Sequence, residues 1–266
     1  MSLSKSSMPF LRKIFFDPET SQLRPVWRGH LFLFDRPPAP TYTSAQGIKL
    51  LLIFLFLEVI FRPLLRVGAR GLNVQEQPWW LLVQVSLLIL VGLALVIYLA
   101  RVPLAQLGLY AWRHWSKTEK LYFLQVIPLA VIVFSFVRAS SLAKLWSRPN
   151  LGEIALFIFI PELLWGFYQE FAYRGLLQTE LVRRWGTGWG ILVSNLIFTF
   201  GPLHAYHFVE AQGNLSHLWI FAMIFAIGLL FAVLYKRSGN LLMIGIMHGI
   251  GDWFMDGLEL VAKMRG

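Results

Sequence analysis

Residues 153–177 read EIALFIFIPELLWGFYQEFAYRGLL, and this stretch decides the fold class. Apolar side chains run through it without the alternation of short strands that a membrane β-barrel requires. It is longer than the roughly 20 residues that an α-helix needs to cross about 30 Å of hydrocarbon. Yet Glu162, Gln169, Glu170 and Arg174 lie inside it. An ionisable side chain at bilayer depth costs about 3 kcal/mol or more, so such groups face a bundle interior or wet cavity, pair with one another and mark a functional path.

Comparable apolar runs lie near 47–63, 79–100, 121–139, 187–207, 217–236 and 239–257. The expectation is an all-α, polytopic transmembrane helix bundle of seven spans, or eight if one run hides a break. Composition agrees: the chain of 266 residues is 57% hydrophobic, 15% aromatic and only 14% charged, with a mean hydropathy of +0.60. That apolar share is well above that of a soluble domain.

The formal net charge of +10 does not point to nucleic acid. The basic residues sit in short loops and in the N-terminal tail (Lys5, Arg12, Lys13, Arg24, Arg28), where they orient helices and touch anionic headgroups. The expected partner on this ground is the lipid bilayer, with no nucleic acid. Cysteine is absent, which removes disulfides, a thiolate nucleophile and a cysteine-ligated metal.

Residues 1–46 are too polar for a signal-peptide core. They read as a basic, cytoplasmic or membrane-surface tail, with Phe10, Leu11, Ile14, Phe15 and Phe16 on the lipid surface and Pro37, Pro38 and Pro40 stiffening the approach to the first span. Residues 47–266 form one membrane domain. With the N-terminus in the cytoplasm of a bacterial inner membrane, Arg101, Arg113, Lys117, Lys120, Arg183, Arg184, Lys236 and Arg237 fall inside. Arg62, Arg66, Arg70, Arg138, Lys144 and Arg148 fall outside, so the bias is mild.

Three polar blocks occupy the half at about 153–257: Gln169-Glu170-Phe171-Ala172-Tyr173-Arg174, Phe200-Gly201-Pro202-Leu203-His204, and His248-Gly249-Ile250-Gly251-Asp252. Helix positions four apart share a face, which aligns Glu170 with Arg174, Phe200 with His204, and His248 with Asp252. Positions seven apart nearly do, which puts Glu162, Gln169 and Tyr173 on a neighbouring stripe. A carboxylate and two imidazoles inside a membrane can activate water for attack on a peptide carbonyl and stabilise the oxyanion that develops. Metal chemistry is the alternative, with His204, His248 and a carboxylate holding a divalent ion such as zinc. No His-Glu-x-x-His supports it.

Each block also has a plainer reading. Glu170 and Arg174 could simply neutralise one another. His204, beside Pro202 at a helix end, could be structural. His248 with Asp252 could form a proton relay. His207 and His217 read as interfacial, and Gly245, Gly249 and Gly251 as a small-residue face for close helix packing. The three blocks in this order go further than any one alone.

In that order they resemble the CPBP intramembrane proteases, also called the ABI or type II CAAX prenyl endopeptidase family. The family pattern is Glu-Glu-x-x-x-Arg, then Phe-x-x-x-His, then His-x-x-x-Asn or Asp, on successive core helices. The resemblance covers about residues 153–257 and implies an intramembrane endopeptidase that cuts a membrane-anchored or lipidated protein. It assigns the site to Gln169, Glu170, Arg174, His204, His248 and Asp252. The two histidines and Asp252 would position water and oxyanion, while Arg174 would hold Glu170.

The departure is Gln169, which stands where the family has its water-activating glutamate and cannot accept a proton. Glu170 or Glu162 takes over as base, or the chain is a catalytically impaired relative that scaffolds or binds a membrane partner, or the glutamine is a substitution that traps substrate. Gly249-Ile250-Gly251-Asp252 also spells the Gly-x-Gly-Asp of presenilin-type proteases, but no other span offers the second aspartate that this chemistry needs. Rhomboid-type serine chemistry lacks its Gly-x-Ser-x-Gly elbow, and a transporter lacks a detectable inverted repeat.

Overall fold

The structure is a computed structural model that describes residues 41–205, 207–208 and 218–263. The tail residues 1–40, with the aromatic cluster and prolines singled out above, lie outside the described residues, as does His217. Among the described residues the secondary structure is helical and contains no strand.

Helix α1 (Ser44–Leu55) starts where the Thr43 side chain accepts from the Gln46 N–H and the Gln46 side chain accepts from the Thr43 N–H. This reciprocal cap satisfies two amides that a helix start leaves orphaned. α1 continues through a π-helical stretch (Phe56–Phe61) into α2 (Arg62–Gly71). Helix α3 (Trp80–Ala94) ends in a second π stretch (Leu95–Ala100), stopped by Arg101 in the left-handed region at φ 56°. Ser116 and Glu119 cap α4 (Lys117–Val137) in the same way as Thr43 and Gln46 cap α1. Helix α5 (Ala139–Trp146) follows.

α6 (Leu151–Ile154), a π stretch (Ala155–Phe159), α7 (Ile160–Glu170), another π stretch (Phe171–Gln178) and α8 (Thr179–Phe200) then form one helical run. The run folds back at Gly186, whose φ of 78° and ψ of 172° suit a residue without Cβ. After it come α9 (Leu218–Ser238), α10 (Leu241–Asp252) with a π stretch (Trp253–Gly257), and α11 (Leu258–Lys263).

Four helical runs among the described residues are long and apolar enough to cross a membrane: Trp80–Ala100, Lys117–Val137, Leu151–Phe200 and Trp219–Ser238. The expected runs at 153–177 and 187–207 are the two arms of Leu151–Phe200 on either side of Gly186. The runs at 47–63 and 239–257 are helical but are not among these four, so the bundle is helical as expected while the count of seven or eight spans is not confirmed.

Every residue from Tyr168 to Leu181 is buried, so the middle of the Leu151–Phe200 run is the axis of the bundle. The α4 span is the opposite case, with only 6% of its apolar window covered by protein. An apolar face left uncovered to this degree is a lipid-facing surface. Against the axis, α7 crosses α10 at glycines: a Cβ on Gly166 would lie 2.2 Å from the Gly249 nitrogen, and one on Gly249 would lie 2.6 Å from the Leu163 Cα. Gly245 meets Phe167 in the same crossing, whereas Gly251, expected on this face, has nothing within 4 Å.

Several of the basic loops share one end of the bundle. Gln46 Nε2 donates to the Arg101 carbonyl at 2.7 Å, Arg183 Nη1 donates to Ser44 Oγ at 3.4 Å, and the Leu241 amide donates to the Gly108 carbonyl at 3.0 Å. Arg62, expected in a loop at the other end, is instead 2% exposed and pairs with Glu58 at 3.0 Å. Glu58 one turn earlier supplies the counter-charge that lets a guanidinium stay buried.

Candidate active site

Close approach at the glycine crossing brings the first and third polar blocks together. His248 Nδ1, on α10, lies 2.7 Å from Glu170 Oε1, on α7. One turn further along α10, Asp252 Oδ1 faces His248 Nε2 at 3.5 Å. Gln169 Nε2 donates to the other Asp252 oxygen at 3.0 Å. A carboxylate requires a donor, and this fixes which end of the Gln169 amide points at it.

Arg174 completes the chain of charges. Its Nε faces Glu170 Oε2 at 3.3 Å without hydrogen-bond alignment, and its Nη2 donates to the Gly228 carbonyl of α9 at 2.9 Å. The guanidinium also lies over the Phe198 ring, 4.5 Å from its centroid, a cation–π placement. Arg174 and Glu170 are both fully buried. Arg174, Glu170, His248 and Asp252 therefore alternate in sign when His248 is protonated, and their charges sum to zero. Burial of such charges is tolerable only under this kind of neutralisation.

The second block reaches the site by a route that differs from the expectation. Phe200 and His204 do not share a helix face, because α8 ends at Phe200 and Gly201 turns extended ahead of Pro202. A residue preceding proline is sterically biased out of the helical region. Phe200 is 48% exposed and packs on Phe208 and Phe221 instead. The aromatic that meets His204 is Phe198, edge to face at a centroid distance of 4.8 Å. Phe198 also meets the His248 ring at 6.1 Å, so both histidines pack on one phenyl ring.

The His204 ring is oriented by the Phe198 carbonyl, 2.7 Å from Nδ1. A carbonyl only accepts, so Nδ1 carries the proton and the neutral ring keeps its lone pair on Nε2. His207 stacks on His204 at 6.0 Å, closer to the site than its sequence position indicates.

The expected stripe of Glu162, Gln169 and Tyr173 divides among different neighbours. Gln169 turns to Asp252, while Tyr173 donates to Glu58 Oε2 at 2.9 Å. Glu162 is buried, close enough to Asp252 and Asp256 to feel both charges. The π stretch begins at Phe171, between Gln169 and Tyr173, and changes the phase of the helix.

Tyr168 donates to Glu58 Oε1 at 2.6 Å, so one fully buried carboxylate of the first helix holds two tyrosines of the axis as well as Arg62. Sequence reasoning missed this cluster. Its signal was a Glu-x-x-x-Arg pair at the end of an apolar run.

The Glu170 carboxylate engages His248 Nδ1, while Asp252 faces Nε2 at 3.5 Å. Among the described residues no group of three histidine, aspartate or glutamate side chains is placed to hold an ion.

No curated protein and no solved structure matches the chain. Residues 151–254 match a family model described as Rce1-like, Type II CAAX prenyl endopeptidase Rce1-like. That stretch is less than half of the chain and contains all three polar blocks; over it the chain is similar to the CPBP, or type II CAAX prenyl endopeptidase, family of intramembrane proteases.

Proposed function

We propose that this protein is an intramembrane endopeptidase that hydrolyses a peptide bond of a prenylated or otherwise membrane-anchored protein, with water activated among Gln169, Glu170, Arg174, His204, His248 and Asp252. The observation that carries this reading is the joining of Glu170 to His248 at 2.7 Å, with both histidines on the Phe198 ring, inside the stretch that matches the family.

His204, with its Nε2 lone pair free, accepts a hydrogen bond from the attacking water and orients it. Glu170 and Arg174 hold His248, which in turn aims Asp252. The membrane domain spans residues 47–266 and the basic tail, residues 1–46, stays on the cytoplasmic side.

The direct test is cleavage, by the purified protein in detergent or nanodiscs, of a quenched fluorescent peptide bearing a farnesylated cysteine near its carboxyl end. Loss of cleavage in His204→Ala and His248→Ala, with folding retained, is the expected result. One observation favours a second reading: an amide at position 169 suits a catalytically impaired relative that binds a lipidated partner without cutting it. Capture of the intact peptide without fragments by the unaltered protein selects that reading.

A further inference from the structure

Among the described residues, Glu162, Glu170, Asp252 and Asp256 are the carboxylates around this site, and they differ in access and orientation. Glu170 is fully buried and lies between Arg174 and His248. Glu162 is 4% exposed and lies beside Asp252 and Asp256. The Asp252 side chain is 16% exposed, one oxygen receives the Gln169 amide at 3.0 Å, and the other faces His248 Nε2 at a loose 3.5 Å. A general base must reach the proton it abstracts, directly or through one water; Asp256 is exposed, but of the two accessible carboxylates it is Asp252 that is oriented, by the Gln169 amide and by His248.

We infer that Asp252 is the proton acceptor of this enzyme and that Gln169 is its amide partner, so that acid and amide stand on α10 and α7 respectively. The inference rests on the proposed endopeptidase reading. Gln169 uses one N–H to hold Asp252 and has a second to donate to the carbonyl oxygen of the scissile bond as negative charge develops there.

The step balances without any further reactant. Asp252 takes a proton from water as the water oxygen bonds to the carbonyl carbon, and the carbonyl π pair moves onto its oxygen beside the Gln169 amide. The intermediate collapses, the C–N bond breaks, and the departing nitrogen takes the proton from the Asp252 carboxylic acid. The products are a carboxyl group and an amine, and Asp252 is a carboxylate again.

If what matters is an acid and an amide facing each other across the two helices, exchanging them should preserve function. The experiment measures cleavage of the farnesylated peptide by the unaltered chain, Asp252→Asn, Gln169→Glu, the double variant Gln169→Glu/Asp252→Asn, and Glu162→Gln, with thermal melting of each. Asp252→Asn is expected to lose about 10² to 10⁴-fold in kcat, the contribution of a positioned general base. The double variant is expected to recover most of that loss although it retains the asparagine, a rescue that a packing defect would not give. Glu162→Gln is expected to stay within a few-fold of the unaltered chain.

Full activity in Asp252→Asn, no recovery in the double variant, or a loss confined to Glu162→Gln each overturns the assignment while leaving the endopeptidase reading in place. No cleavage by the unaltered chain overturns both.

Discussion

Glu170 and His248 are 78 positions apart in sequence, yet their side chains meet at 2.7 Å. They meet because α7 and α10 cross where three glycines, Gly166, Gly245 and Gly249, leave no Cβ between the backbones. Small residues at a crossing let membrane helices approach closely, and here the closeness brings the Glu170 and His248 side chains within reach of one another.

Gly249→Ala should therefore act on the site through packing. Its Cβ would meet the Leu163 Cα at 2.6 Å and the Leu163 carbonyl oxygen at 2.7 Å, backbone atoms that cannot move aside locally. Overpacking of this kind costs about 1–3 kcal/mol, and the helices must separate. A lower melting temperature in detergent together with a fall in peptide cleavage is expected, and Gly251→Ala, with nothing within 4 Å, is the matched control.

The cluster around Glu58 should behave as one unit. Glu58→Ala removes the acceptor of Tyr168 and Tyr173 and leaves Arg62 buried without its counter-charge. Breaking a buried pair from one side costs about 3–5 kcal/mol, against about 1 kcal/mol for each lost tyrosine hydrogen bond. Denaturation of Glu58→Ala, Tyr168→Phe and Tyr173→Phe should show the first exceeding the sum of the other two. A Glu58→Ala protein as stable as Tyr168→Phe would refute the arrangement.

Arg174 should tolerate no substitute, lysine included. Its planar fork faces Glu170, donates to the Gly228 carbonyl and stacks on Phe198 at once, and a lysine ammonium lacks the planar geometry for all three. Arg174→Ala, which strands the buried Glu170, should lose about 3–5 kcal/mol of stability. Arg174→Lys should fold and lose activity. Equal melting temperatures for the two variants would count against this account.

Phe198 and Phe200 make a contrasting pair. Phe198 carries both histidines and the Arg174 guanidinium, while Phe200 is half exposed among other aromatics. Phe198→Leu should cost about 0.5–1.5 kcal/mol of aromatic contact and a larger share of the activity, because both imidazoles lose their backing. Phe200→Leu should leave kcat within a few-fold of the unaltered enzyme. The reverse ranking would restore Phe200 as the partner of His204.

The helical class and the alignment of polar side chains along single helices were legible in the sequence, because both depend on local quantities. Uninterrupted apolar runs require helices in lipid, and Glu170 and Arg174 share a face simply by their spacing on one helix. Tertiary structure decided what depends on a second element. Phe200 lost its alignment with His204 when Gly201 and Pro202 ended α8, and Phe198 took its place.

Arg62, spaced like a loop residue, was drawn into the interior by Glu58, and the π stretch after Glu170 sent Gln169 and Tyr173 to different partners. Above all, the pairing of Gln169 with Asp252 and of Glu170 with His248 arises from two helices crossing at glycines. Spacing along one chain fixes only which side chains share a face, and the contact across the crossing depends on how closely two backbones can approach.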